Sequence, residues 1–121
     1  MGIARFDGLE VWKAAHQAAL ETYRITATLP SDERYGLVQQ MRRSAASIPA
    51  NITEGFGRRQ PRDKIRFYNI SQASIEELRY YLILCRDLGY VKQYSEVSQY
   101  LDSTARMLKR LVIRTLDMGP S

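Results

Sequence analysis

Cysteine is nearly absent: Cys85 is the only one in 121 residues, so no internal disulfide can form. Histidine is as scarce. His16 alone cannot supply the two Glu-x-x-His pairs that a di-iron bundle site requires, and no metal is expected. Long apolar runs are missing too. Nothing approaches the roughly 18 to 20 residues that cross a bilayer, and charged residues make up 26% of the chain. No charged segment followed by an apolar stretch and a cleavage site opens the sequence, so the expected compartment is the cytoplasm, with no membrane contact. Phosphate loops of the G-x-x-x-x-G-K-[ST] or G-x-G-x-x-G type do not occur, and Gly55-Phe56-Gly57 has the wrong spacing for one. Without a nucleophile–base pair, a metal set or a nucleotide loop, the expectation is a protein with no catalytic residues and no cofactor. No β pattern, repeat or linker competes with a single domain over residues 1–121, a length that can bury its own core.

What the chain does have is charge of one sign in one place. Between Arg42 and Arg66 lie Arg42, Arg43, Arg58, Arg59, Arg62, Lys64 and Arg66 against Glu54 and Asp63, a net +5. The rest carries 11 basic and 11 acidic side chains, so the whole imbalance sits in about a fifth of the sequence. These seven cations are the candidate nucleic-acid-binding residues. Solvated helix faces and subunit interfaces also use arginine, so clustering does not by itself assign phosphate binding.

Four helices are legible from apolar spacing of three and four. The first runs from Leu9 to Leu29 through Trp12, Ala15, Ala19 and Tyr23, with Asp7 as its cap and Leu29-Pro30 as its stop. The second begins near Tyr35 to Leu37 and carries Leu37, Met41, Ala45, Ile48 and Ile52 on one stripe. Pro49 falls inside it. The ring removes one backbone hydrogen bond and presses on the carbonyl of Ala45, a cost of about 3 kcal/mol if uncompensated. Because the stripe continues in register, a built kink is expected there rather than a helix end. Gly55 is expected to take the left-handed position that closes this helix, with Phe56 packing back. The third helix starts at Gln60-Pro61 and runs through Ile65, Tyr68, Ile75, Leu78, Leu82 and Cys85 to Leu88, where Gly89 ends it. The fourth follows Tyr94, Val97, Leu101, Thr104, Leu108, Leu111 and Thr115, and Gly119-Pro120-Ser121 reads as a frayed end. Short connections make this an all-α, antiparallel up-down-up-down four-helix bundle.

Tyr35-Gly36-Leu37, Gln40, Arg43 and the run Ser47-Ile48-Pro49-Ala50-Asn51-Ile52-Thr53-Glu54-Gly55 resemble the four-helix-bundle family of 23S ribosomal RNA intervening-sequence proteins. The likeness continues through Arg58 or Arg59, Phe67, Ser74, Glu77-Leu78 and Leu88-Gly89-Tyr90. Ser47, Ile48, Pro49, Asn51, Ile52, Glu54 and Gly55 carry its most specific pattern. The sequence departs from the family at Thr53 and Ser71, where alanine is usual, and at Ala73, where glycine is, a change expected to widen one helix contact. The resemblance implies a ring-like homopentamer without catalytic activity. Its partners would be ribosomal or other structured RNA. A related bundle, the accessory protein of diversity-generating retroelements, partners a reverse transcriptase, so a protein-interaction adaptor is the alternative.

Other candidate groups have structural readings. His16, one turn beyond Trp12, reads as a hydrogen-bonded core or interface residue, and Cys85, on the apolar stripe, as an inert buried thiol. Glu54, Glu76 and Glu77 lack a pocket, and Glu54 with Asn51 can serve backbone groups near Pro49 or meet Arg43. Among the tyrosines, Tyr68, Tyr81 and Tyr94 fall on or beside the stripes, whereas Tyr80, Tyr90 and Tyr100 read as more exposed. Apolar residues flanking the stripes, Val11, Tyr81, Ile83, Tyr100 and Val112, exceed what one slim core hides, so self-association is expected.

Overall fold

The computed structural model describes residues 4–118, and Gly119-Pro120-Ser121 lies outside them. Four α-helices follow one another: α1 (Glu10–Thr26), α2 (Leu37–Gly57), α3 (Pro61–Asp87) and α4 (Ser95–Leu116). Short 3-10 turns at Phe6–Gly8 and Ser31–Glu33 precede α1 and α2, and there is no strand among the described residues.

Each helix packs on its neighbours in the chain, and α4 returns to α1. Met41 meets Cys85, Ser44 meets Glu77, Ile48 meets Ser71 and Gly55 meets Lys64, so α2 and α3 run in opposite directions. The expected apolar stripes form the core: Ala15 and Ala18, Met41, Ala45, Ile48 and Ile52, Ile75, Leu78 and Leu82, and Val97 and Leu101 are all essentially inaccessible. Val11 joins them inside, whereas Ile83 stays 42% exposed. Four threonines are buried among these apolar side chains without losing their hydroxyl bonds. Thr22, Thr26, Thr104 and Thr115 each donate to the carbonyl four residues back, at 2.7 to 2.8 Å.

Helix ends show where side-chain chemistry overrides periodicity. Asp7 does not cap α1. It lies in the preceding 3-10 turn, bonded to Arg5, and Leu9 occupies the cap position without a side-chain bond. The C-terminal end of α1 comes at Thr26, earlier than Leu29, because the amides of Thr28 and Leu29 bond three residues back and tighten the chain out of the α form. Pro61 opens α3 as expected. At its other end Gly89, at φ +81°, allows the amide of Tyr90 to reach the carbonyl of Cys85 and that of Gly89 to reach Arg86, at 2.9 and 3.0 Å.

Gly55 is the clear reversal. It does not end α2 in a left-handed turn, since Gly89 is the only described residue with positive φ. Instead α2 continues to Gly57 and Gly55 is buried inside it. A Cβ there would lie 2.5 Å from Cε1 of Tyr68 and 3.0 Å from the carbonyl oxygen of Lys64. This glycine lets α3 approach α2, a use of the missing side chain that backbone spacing cannot reveal.

Candidate nucleic-acid interface

Local sequence sorts the seven candidate cations into different surroundings. Arg42 is half-buried and faces α1. Its Nε donates to Thr26 Oγ1 at 2.8 Å, and its guanidinium lies 4.6 Å from the centre of the Tyr23 ring. It is a tie between α1 and α2. Arg43, one residue on, is exposed and has no ion-pair or hydrogen-bond partner among the described residues. Fifteen residues, about 22 Å along a helix, separate it from Arg58, so it stands apart from the α2–α3 turn.

Lys64 is also committed internally. Its Nζ donates to the carbonyl of Phe56 at 2.9 Å and approaches that of Gly55 at 3.4 Å, which satisfies acceptors at the C-terminal end of α2. Burial pushes its pKa down from the ordinary lysine value. The side chain therefore caps a helix and gives little to a ligand.

The remaining four surround the turn. Arg58 bonds Glu54 at 3.2 Å and lies 4.6 Å from the centre of the Phe67 ring, and Arg66 lies 4.8 Å from the same centre. Glu54 thus meets Arg58, not Arg43. Two guanidiniums held on one aromatic ring are less free to wander, so a ligand that bound them would order little more. Arg59 and Arg62 are exposed and unpaired among the described residues. Arg62, Arg66, Gln60 and Asp63 line a shallow depression at the first turn of α3, where unpaired backbone amides add positive potential.

Ser47, Ile48 and Gly55 of the specific motif lie along the α2–α3 contact, and Pro49 faces α1. Asn51 Nδ2 donates to the carbonyl of Ser47 at 2.8 Å and to its hydroxyl at 2.9 Å, and Ser74 Oγ donates to the same hydroxyl at 2.8 Å. Ser71 donates to the carbonyl of Ile48, and Thr53 to that of Pro49 at 3.0 Å. Three successive carbonyls around the proline, those of Ser47, Ile48 and Pro49, thereby accept side-chain bonds, while the carbonyl that the proline deprives of an amide, that of Ala45, is not among them. Ser71 and Thr53 are two of the departures from the family pattern, and each uses a hydroxyl that alanine lacks. Ala73 is exposed and widens no helix contact within the chain.

Other groups find conventional surroundings. His16 is half-buried and stacks on Trp12 at 5.0 Å, with no hydrogen bond among the described residues. Cys85 is buried against Met41, and burial, then the charge of Glu33, pushes its thiol up. Tyr68 is 1% exposed, its phenol pushed up to about 12 by burial. Tyr81 and Tyr94 are half-buried. Tyr80 is 57% exposed, but Tyr90 and Tyr100 are half-buried rather than open, Tyr90 because its hydroxyl bonds Glu33 at 2.8 Å.

A second basic row escaped the charge count. Arg106, Lys109, Arg110 and Arg114 are exposed on α4, and no acid lies between Asp102 and Asp117. Summing charge over the rest of the chain cancelled this row against distant acids; a window one helix long would have found it.

A family model described as 23S rRNA-intervening sequence protein matches residues 7–110. Among solved structures, a protein of unknown function from the S23 ribosomal protein family of Bacteroides thetaiotaomicron VPI-5482 is similar, with a TM-score of 0.76 at 23% identity, covering 84% of this chain and 97% of that one. No curated protein matches. No helix among the described residues is long and apolar enough to cross a membrane.

Proposed function

The chain belongs to the 23S rRNA-intervening sequence protein family, and from that premise we propose that it acts without catalysis, in the cytoplasm, as a homopentamer that binds structured RNA through the α2–α3 turn. The observation that carries this reading is the division among the cations. Arg42 and Lys64 are held by the fold, while Arg59 and Arg62 project unpaired beside the ring-supported Arg58 and Arg66. One turn offers few phosphate contacts. A closed ring repeats it and raises the effective concentration of neighbouring contacts, so weak binding by each subunit becomes useful avidity.

Reversing Arg58, Arg59 and Arg62 to glutamate tests this. The triple variant is expected to keep its helicity and mass but lose salt-sensitive binding to a structured RNA. Each lost contact lowers the slope of log affinity against log salt by roughly 0.7 to 0.9. Unchanged affinity in the variant, or no binding by the parent at low salt, overturns the reading. A protein-interaction adaptor is the second reading, favoured by the apolar groove between α1 and α2, where Trp12, Leu20, Tyr23 and Pro49 leave carbon surface open.

A further inference from the structure

A different groove lies between α3 and α4, the least extensive of the helix contacts around the bundle. Its floor is apolar: Tyr68 from α3 and Ala105, Leu108, Val112 and Ile113 from α4. Ile113 is 49% exposed there. The lining on α4 spans nine residues from Ala105 to Ile113, about 12 Å, a little more than two helical turns. Its charge has one sign. Arg106 and Lys109 stand on one wall, the neutral Asn69 and Gln72 on the other, and no acid lines it. Arg62 and Arg66 continue the row of Asn69 along α3 at helical spacing, so cations also extend past that wall. Glu76, one turn beyond Gln72, is held by Arg79 at 3.3 Å.

We infer that this groove receives an amphipathic helix of a partner protein, seated by two or three apolar side chains at i, i+3 or i+4, and i+7, and flanked by glutamate or aspartate facing Arg106 and Lys109. An RNA strand suits it poorly, because a phosphate would have to leave water for a hydrocarbon floor, and Tyr68 is too buried to offer a stacking face. A second copy of this chain is also a poor match. Of its exposed apolar residues on α3, Tyr80 and Ile83 are bordered by Arg79 and Arg86 as well as by Glu76 and Asp87, and Ile70 lies one turn from Arg66, so they bring mixed or like charge to a basic rim. The inference does not depend on RNA binding at the α2–α3 turn.

The test uses the full chain and two synthetic helical peptides of about four turns that share leucine anchors, one with glutamates beside them and one with lysines. Fluorescence anisotropy at low salt is expected to show binding of the acidic peptide alone. Reversing Arg106 and Lys109 to glutamate should weaken it about tenfold, the effect of two exposed charge pairs, and should admit the lysine peptide. Ile113→Ser, at an exposed position where the fold is safe, should weaken the acidic peptide without admitting the other. Absence of acidic-peptide binding, equal binding of both peptides, or indifference to all these substitutions overturns the inference. So does a fall in solution mass with Ile113→Ser, which would make the groove a subunit contact. If the charge reversal abolishes RNA binding and leaves the peptide unaffected, the rim belongs to RNA instead.

Discussion

Neighbouring arginines in this chain have unlike roles because a helix turns by about 100° per residue. Arg42 points at Tyr23 and Thr26 of α1, and Arg43 points at solvent. Sequence spacing assigns the two to different faces but not to a partner, since the partner lies 16 residues away on another helix. The same limit applies at Gly55, whose neighbour Tyr68 becomes visible only when α2 and α3 are packed. This glycine gives a sharp expectation. Alanine in a helix interior is ordinarily better than glycine by about 1 kcal/mol. Here the added Cβ would strike a fully buried ring and a backbone carbonyl, neither free to retreat. Gly55→Ala should therefore lower stability by about 1–3 kcal/mol, seen as an earlier urea midpoint at fixed protein concentration. A midpoint that stays or rises would mean that α3 can shift away without loss.

At the scale of elements, the periodic segments were readable and their ends were less so. The stripes of α2, α3 and α4 emerged in register because burial on one face leaves a mark every three or four residues. Pro61 and Gly89 marked boundaries because ring closure and positive φ act locally. The basic site was legible only as a composition: the sequence pointed to the α2–α3 turn, but the diversion of Lys64 to the end of α2 depends on where two helices meet. Pro49 combines both kinds of information. Its position inside a continuous helix followed from the stripe, while the bonds from Asn51, Ser71 and Thr53 to the surrounding carbonyls did not. If those bonds support a bend that shapes the α1–α2 groove, Pro49→Ala should straighten α2 and change the mass distribution in light scattering, despite the better helix former. A variant with its parent's mass and greater stability would remove any architectural role from the bend.

Over the whole molecule, several large apolar side chains stay open to solvent. Tyr80, Ile83, Ile113 and Leu116 are each 42% to 60% exposed. Self-association is the expected use of part of that surface, and static light scattering at micromolar concentration should give five times the 14.0 kDa chain mass. The mass of one chain would exclude it. The bond from Tyr90 to Glu33 also shapes how the molecule can move. It fastens the α1–α2 connection to the α3–α4 connection, and Glu33 reaches the first amide of α2 as well, at 3.4 Å. At the opposite end, toward which the α3–α4 groove lies, Lys64 ties α3 to the end of α2, whereas among the described residues α3 bonds α4 only further up, through Arg79 and Asp102 at 2.8 Å. A guest seated between α3 and α4 is therefore expected to part those two helices like the jaws of a clothes-peg, by a small splay about the end that Glu33 and Tyr90 pin, with the core layers near Glu33 left undisturbed.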